Sequence, residues 1–296
     1  MSESFESLNH KISGAKELKS VVSTMKALAA SNIVQYEKSV LALDDYYHTT
    51  ELGLSACFQG TIPSELPQPK KEKSENHTLK AVVFGSDQGL VGQFNDIAVE
   101  YAIRTLAQLP GKPEIWAVGE RTYELLTDSG LQMAGQFNVP TSVNAITPLV
   151  ASILIETEEN KRPGEVPELF LFYNRHAPGS LYNPMHQRLL PLDELWLKGI
   201  SELKWPTKLL PEVFGNRRNT LAALIHEYLF ASIFRACAES LASENASRLA
   251  SMQRADKNIG ELLEDLGVTF QSLRQSSIDE ELFDVISGFE SMSKTK

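Results

Sequence analysis

The chain has 296 residues, enough for one or two domains, and its 42% hydrophobic content suffices for a packed core. A formal net charge of −10 argues against a nucleic-acid partner, which would call for a basic stripe. The first residues carry Glu3 and Glu6 and no apolar core, and no run approaches the about 18 apolar residues of a membrane span. Neither a leader, nor a transit peptide, nor direct membrane insertion is therefore expected, and the expected compartment is cytoplasmic.

From about residue 4 to residue 54 there is no proline. Apolar and small residues recur three and four apart at Ile12, Ala15, Leu18, Val22, Met25, Ala29, Ile33, Tyr36, Val40, Leu43 and Tyr47. This spacing predicts a long helix paired along its length with another helix, with Ala15, Ala29 and Ala30 small enough for a close partner backbone. Gly53 and Gly60 weaken the pattern. Residues 61–77, with three prolines and many charges, read as an exposed linker.

The texture changes at Leu79. LKAVVFG is a strand-type run, followed by GSDQGLVGQFN and a helical stretch over 96–109. EIWAVG over 114–119 is a second strand and 120–128 a short helix. Thr147 is a candidate N-cap, with Pro148 opening a helix. Residues 166–176 and 186–193 read as third and fourth strands. Strands alternating with helices predict a small domain with a largely parallel sheet. The last quarter, 219–291, contains no proline. It carries a heptad seam at Leu249, Met252, Ile259, Leu263, Leu266, Phe270 and Leu273, with Asp256 breaking it as a register or kink device. Helical throughout, it would run roughly 110 Å at about 1.5 Å per residue, despite Gly260 and Gly267.

The expected fold is therefore α/β: a long antiparallel coiled coil of the two terminal helices with an inserted Rossmann-like α/β domain. The expected boundaries are 1–60 for the first helix, 61–78 for the linker, 79–210 for the α/β domain and 211–296 for the last helix, whose end overhangs its partner.

Candidate chemistry is sparse. Gly85, Gly89 and Gly92 lie between a strand and a helix, where phosphate loops occur. They lack the G-x-G-x-x-G spacing and no Gly-Lys-Ser/Thr follows, so a structural turn with Asp87 as a cap is expected. Glu261, Glu264 and Asp265 flank the seam as solvated charge. His48, Cys57 and His77 are too irregularly spaced for a metal site. Cys57 and Cys237 read as buried thiols. No catalytic residue, cofactor or metal ligand is assigned.

KISGAKELKSVVSTMKALAAS near the amino end, SDQGLVGQFN after the first strand, and ASENASRLASMQRADKN with RQSSIDEELFDVISG at the carboxy end resemble the gamma subunit of F-type ATP synthases, a divergent bacterial branch of it. At the carboxy end the match runs through Ala242, Ser243, Glu244, Met252, Ala255, Asn258, Arg274, Gln275, Ile278, Glu281, Leu282 and Gly288. At the amino end it runs through Ile12, Lys16, Met25, Ala29, Ala30 and Ser31, and SDQGLVGQFN matches through Ser86, Asp87, Gly89, Leu90, Gly92 and Asn95. The chain departs from the family at Ser20, Ser23, Asn32, Val34, Gln35, Gln88 and Val91, several of them at family basic positions.

The resemblance implies a non-catalytic central-stalk rotor of a membrane-bound ATP synthase. It would couple ion flow through the membrane ring, hydrogen ion transport or sodium ion transport, to ATP synthesis or hydrolysis. Implied partners are the alpha and beta subunits of the catalytic hexamer, the epsilon subunit and the c-subunit ring. The implied location is peripheral, on the cytoplasmic face of the bacterial inner membrane. Arg274 and Gln275 are the pair that the family sets against acidic catch loops, and Glu280, Glu281 and Asp284 would meet basic groups of the collar. Met25, Ile33, Ser86, Asp87 and Gly89 complete the implied contact set. The other classes consistent with the residues are a nucleotide-binding α/β enzyme with helical arms and a coiled-coil scaffold unrelated to ATP synthesis. The rotor reading predicts that equilibrium dialysis of the isolated chain finds no micromolar ATP binding. Tight binding, lost in Gly89→Val without unfolding, would favour the enzyme.

Overall fold

A computed structural model describes residues 5–58, 78–158, 168–177, 180–192, 194–209, 211–212 and 215–293. The expected linker over 61–77 lies outside them. Helix α1 runs Phe5–Phe58 and the last helix, α6, runs Arg217–Ser293. Between them lie β1 (Thr78–Phe84), α2 (Phe94–Leu106), β2 (Lys112–Val118), α3 (Glu120–Asp128), β3 (Met133–Phe137), α4 (Ile146–Glu158), β4 (Glu168–Ala177), β5 (Ser180–Leu190) and α5 (Glu194–Glu202). The chain divides into two units. One holds residues 1–28 and 249–296, the other residues 29–248.

In the first unit α1 and α6 pair antiparallel. Val22, Met252 and Ile259 are buried, with Met25, Ala255 and Leu263 packed against them. Phe5 stacks on Phe270 at 4.5 Å between ring centroids. Leu266 and Leu273 are half-buried, so the expected seam on α6 is the one observed. On α1 the buried residues fall seven apart at Leu8, Ala15, Val22, Ala29 and Tyr36. This is the period that keeps one stripe facing a partner helix.

Two expectations fail here. Leu18 is 53% exposed and Ala30 is exposed. A seven-residue step from Ile12 lands on Lys19, which is exposed, and then on half-buried Lys26, so a lysine holds a seam position. Lys26 Nζ donates to Asp256 Oδ2 at 2.6 Å. The residue that interrupts the apolar pattern of α6 is thus matched by a cation at one position of α1, which sets the register of the pair. Beyond Phe270, apart from half-buried Leu273, α6 continues exposed through residue 287.

In the second unit a five-stranded sheet has the order β3-β2-β1-β4-β5. β1 pairs parallel with β2 and β4, β2 pairs parallel with β3, and β5 closes the edge antiparallel to β4. The alternation of side chains sorts the strands cleanly. Val82, Phe84, Trp116, Val118, Leu169, Leu171 and Tyr173 face α4 and α6. Ala81, Val83, Ile115, Ala117, Phe170 and Phe172 face α2 and α3. Strands buried on both faces read as continuous apolar runs, which is why β1, β2 and β4 are visible in the sequence.

Lys80 is buried too. Its ammonium donates to the Thr157 carbonyl at 2.8 Å and lies over the Trp116 ring, so the charge sits at the carboxy end of α4, where cations are favoured.

β3 and α5 were not foreseen. β3 is a five-residue edge strand whose residues are only half-buried or exposed, so its sequence lacks the apolar signal. The helix after residue 142 also begins earlier than expected. Val143–Ala145 form a 3-10 turn and α4 opens at Ile146, leaving Pro148 inside the first turn and Thr147 no cap.

In this unit α1 again runs antiparallel to α6, and both contribute to the core on one face of the sheet. Arg235 pairs with Asp44 at 3.1 Å and Tyr47 packs on Tyr228. A Cβ on Gly53 would meet Leu224 at 3.1 Å, so the glycine that weakens the helix admits a close neighbour. α6 also contains a window long and apolar enough to cross a membrane, contrary to expectation. Its apolar residues from Tyr228 to Ala242 belong to the core. Cys57 and Cys237 are free and buried.

The Asp256 carboxyl is held below its ordinary value by the hydrogen bond from Lys26, with the charges of Lys26 and Lys19 adding and desolvation opposing. A lowered folded value means that the stabilisation is present above the unfolded value of about 3.9 and is lost as pH falls through the folded one. Wild type should therefore melt higher than Asp256→Asn by circular dichroism at neutral pH, and the gap should close below about pH 4. A gap independent of pH would refute this role.

Candidate functional site

The glycine segment follows β1 directly. The chain leaves β1 toward β2 and β3 and returns to β4 on the other side, so the carboxy ends of β1 and β4 flank the switch in strand order. Open α/β sheets bind ligands at that crevice.

Here protein groups fill it. The Ser86 amide donates to Asn95 Oδ1 at 3.0 Å, Asn95 Nδ2 donates to Ser86 Oγ at 2.8 Å, and Thr122 Oγ1 donates to Asn95 Oδ1 at 3.2 Å. Asn174 of β4 donates to the Phe94 carbonyl at 2.9 Å. Ser86, Asn95, Thr122 and Asn174 are all buried. A Cβ on Gly85 would sit 1.7 Å from Thr122 Oγ1, so glycine is required by packing against α3 and not by a phosphate. Asp96 in the first turn of α2 further disfavours an anion there.

Asp87 supports the turn from one side. Its Oδ1 accepts the Glu120 amide at 3.1 Å, at the start of α3, and its Oδ2 accepts the Val139 amide at 3.2 Å. Gly119, the residue before α3, has φ +112°, and a Cβ there would meet the Ser86 backbone at 2.6 Å. From the other side, Ser247 of α6 donates to the Val91 carbonyl. With its base held, the turn presents Gln88, Gly89 and Leu90 to solvent. Leu90 is 61% exposed and has φ +64°, an uncommon conformation for a non-glycine residue.

The expected contact residues therefore occupy different environments. Ser86 is buried beneath the turn, Asp87 is half-buried and committed to backbone amides, and Gly89 is exposed with open space around it. Ile33 and Met25 are half-buried on α1. Arg274, Gln275, Glu280, Glu281 and Asp284 are exposed on the last turns of α6. Ile278, Leu282, Phe283, Val285 and Ile286 are exposed among them. Ile278, Leu282 and Val285 fall four and three apart, a helical apolar stripe, and exposed patches of this kind mark interaction sites.

α6 also carries buried polar groups that its sequence does not reveal. Ser240, Ser243, Glu244, Asn245 and Ser247 are all buried. Arg248 pairs with Glu244 at 2.6 Å, and Asn32 of α1 donates to Asn245 at 3.3 Å. Burial raises the Glu244 carboxyl, opposed by Arg248. Burial, with Glu244 adding, pushes the Tyr36 phenol up to about 12. Glu239 joins Arg235 and Arg175 at 3.0 and 3.4 Å. A heptad pattern makes such residues look solvated, so only a partner surface identifies them as interior.

A family model described as ATP synthase matches residues 4–292. The ATP synthase gamma chain of Glaesserella parasuis serovar 5 (strain SH0165) is 26% identical over 282 residues, covering 94% of this chain and 96% of that one. That of Pasteurella multocida (strain Pm70) is 24% identical over 283 residues, with the same coverage. Among solved structures, a chain of the OSCP/F1/c-ring structure of the Euglena gracilis mitochondrial ATP synthase, rotational state 3, aligns with TM-score 0.60 at 18% identity. The alignment covers 97% of this chain and 94% of that one. A chain of the rotor of the same enzyme in rotational state 1 aligns with TM-score 0.55 at 18% identity, covering 93% and 98%. At these identities the structural likeness speaks for the fold.

Asp87→Ala removes the acceptor for two backbone amides and should lower stability by about 1–2 kcal/mol. Hydrogen exchange at the Glu120 and Val139 amides should accelerate, whereas Asp87→Asn, which retains one acceptor oxygen, should be milder. Unchanged exchange at both amides would show that the carboxylate does not hold the turn.

Proposed function

The chain belongs to the ATP synthase gamma family, and from that membership we infer how its parts serve as the central-stalk rotor of the enzyme. The match over residues 4–292 carries the assignment. The subunit itself breaks and forms no bond. It acts as a cam within the hexamer of alpha and beta subunits, where each rotary position makes different contacts with three catalytic sites. Differential contact is what shifts the affinity of a site, by a coupling free energy typically of about 1–3 kcal/mol.

The last turns of α6 are the part offered to the hexamer. Their exposed apolar stripe suits an apolar sleeve, and the charges around it suit specific catches. Arg274 has a planar guanidinium that holds a carboxylate in two hydrogen bonds, with Gln275 beside it. Glu280, Glu281 and Asp284 repel one another unless basic groups of the collar meet them. The exposed tip Gln88-Gly89-Leu90 forms a second contact, for which Ser86 and Asp87 set the shape from below. Met25 and Ile33 act from the shaft.

The α/β unit faces the epsilon subunit and the c-subunit ring, and the assembly lies peripherally on the cytoplasmic face of a bacterial inner membrane. Ion flow through the ring turns the shaft, or ATP hydrolysis turns it in reverse.

The test is the double variant Arg274→Ala with Gln275→Ala in the reconstituted complex. Both residues are exposed, so folding and assembly, checked by gel filtration, should be unaffected. Loss of one desolvated charge pair costs about 2–5 kcal/mol, and contacts that must release on rotation belong at the low end, so ATP turnover should fall about tenfold or more. Unchanged turnover would show that the torque contacts lie elsewhere.

A further inference from the structure

A groove of about 470 Å³ lies between α4 and α6, lined by Ala151, Leu154, Ile155, His226, Glu227 and Phe230. That volume lies within the usual range of about 300–1,000 Å³ for binding clefts. Its walls are fixed, because Val150, Ile153 and Leu154 of α4 and Leu229 and Ile233 of α6 are buried in the core. Four lining residues are apolar, and Ile155 leaves 59% of its surface to solvent. The one carboxylate is Glu227, whose Oε2 accepts the Tyr46 hydroxyl of α1, so the charge is held at the groove. The turn tip and the end of α6 already described are on other elements, and this groove takes no part in them.

We propose that this groove docks a segment of a neighbouring subunit that presents a bulky apolar side chain next to a lysine or arginine. The apolar side chain covers Leu154, Ile155 and Phe230, and the cation meets Glu227. Charge complementarity selects a cationic partner segment, since the groove offers a carboxylate on a chain of net charge −10. The proposal rests on the rotor reading, which supplies the neighbouring subunits.

The test uses Ile155→Cys in the full chain, where Cys57 and Cys237 are buried and give little background. Maleimide labelling of the variant is timed in the isolated chain and in the assembled ATP synthase. Docking should slow labelling about tenfold or more in the assembly, because the centre of an interface excludes water. A linker joining the new cysteine to amines should capture a segment with lysine beside an apolar residue. Adding Glu227→Lys should return labelling close to the isolated rate. Glu227→Gln, which still accepts from Tyr46, should do so partly. Equal labelling in the two states, or protection unchanged in Glu227→Lys, would overturn the proposal while leaving an assembled, ATP-hydrolysing complex and the rotor reading intact. Failure of the wild-type chain to enter the complex would instead overturn the rotor reading and this proposal with it.

Discussion

The antiparallel pairing of α1 with α6 is the constraint on which the rest of the structure depends. Neither helix can bury a seven-residue stripe on its own, and a helix of 54 or 77 residues gains most of its stability from such burial. Ala15 and Ala29 are buried in the stripe, and the pair Lys26–Asp256 fixes which residues face each other. An apolar seam alone tolerates slippage by a heptad. A charged pair resists it, because a seven-residue slip in one direction sets the half-buried Asp256 carboxylate opposite Ile33.

The α/β unit uses the same two helices differently. There α6 is the core helix for one face of the sheet, and several of its polar residues are turned inward to meet polar neighbours. Glu239 lies with Arg235 and Arg175, Glu244 with Arg248, and Asn245 with Asn32. Truncating one member of such a pair leaves the other charge buried and unpaired, which makes these positions costly to change. The crevice where a sheet of this topology would hold a nucleotide is occupied by Asn95, Thr122 and Asn174. The scaffold is that of a ligand-binding domain, and its interior is committed to holding a turn.

Backbone amides tied to Asp87, a glycine packed on Thr122 and a hydroxyl from Ser247 on the Val91 carbonyl make the turn rigid at its base. Leu90 in a left-handed conformation is maintained by the same supports.

Both long helices were legible in the sequence, because a three-and-four spacing sustained without proline has one physical outcome. So were β1, β2 and β4, whose two buried faces leave continuous apolar runs, and the turn character of residues 85–95. β3 was not, since an edge strand exposes most of its side chains and carries no pattern. The local sequence could not place Leu18 outside the seam and Lys26 within it, because only the facing Asp256 distinguishes a lysine at the seam from a solvated one. It could not show that Ser240, Ser243 and Glu244 are interior, or that Glu227 borders a groove with Ile155. Period and composition determine which elements form; which polar groups become buried depends on the surface each element meets, and that surface comes from distant parts of the chain.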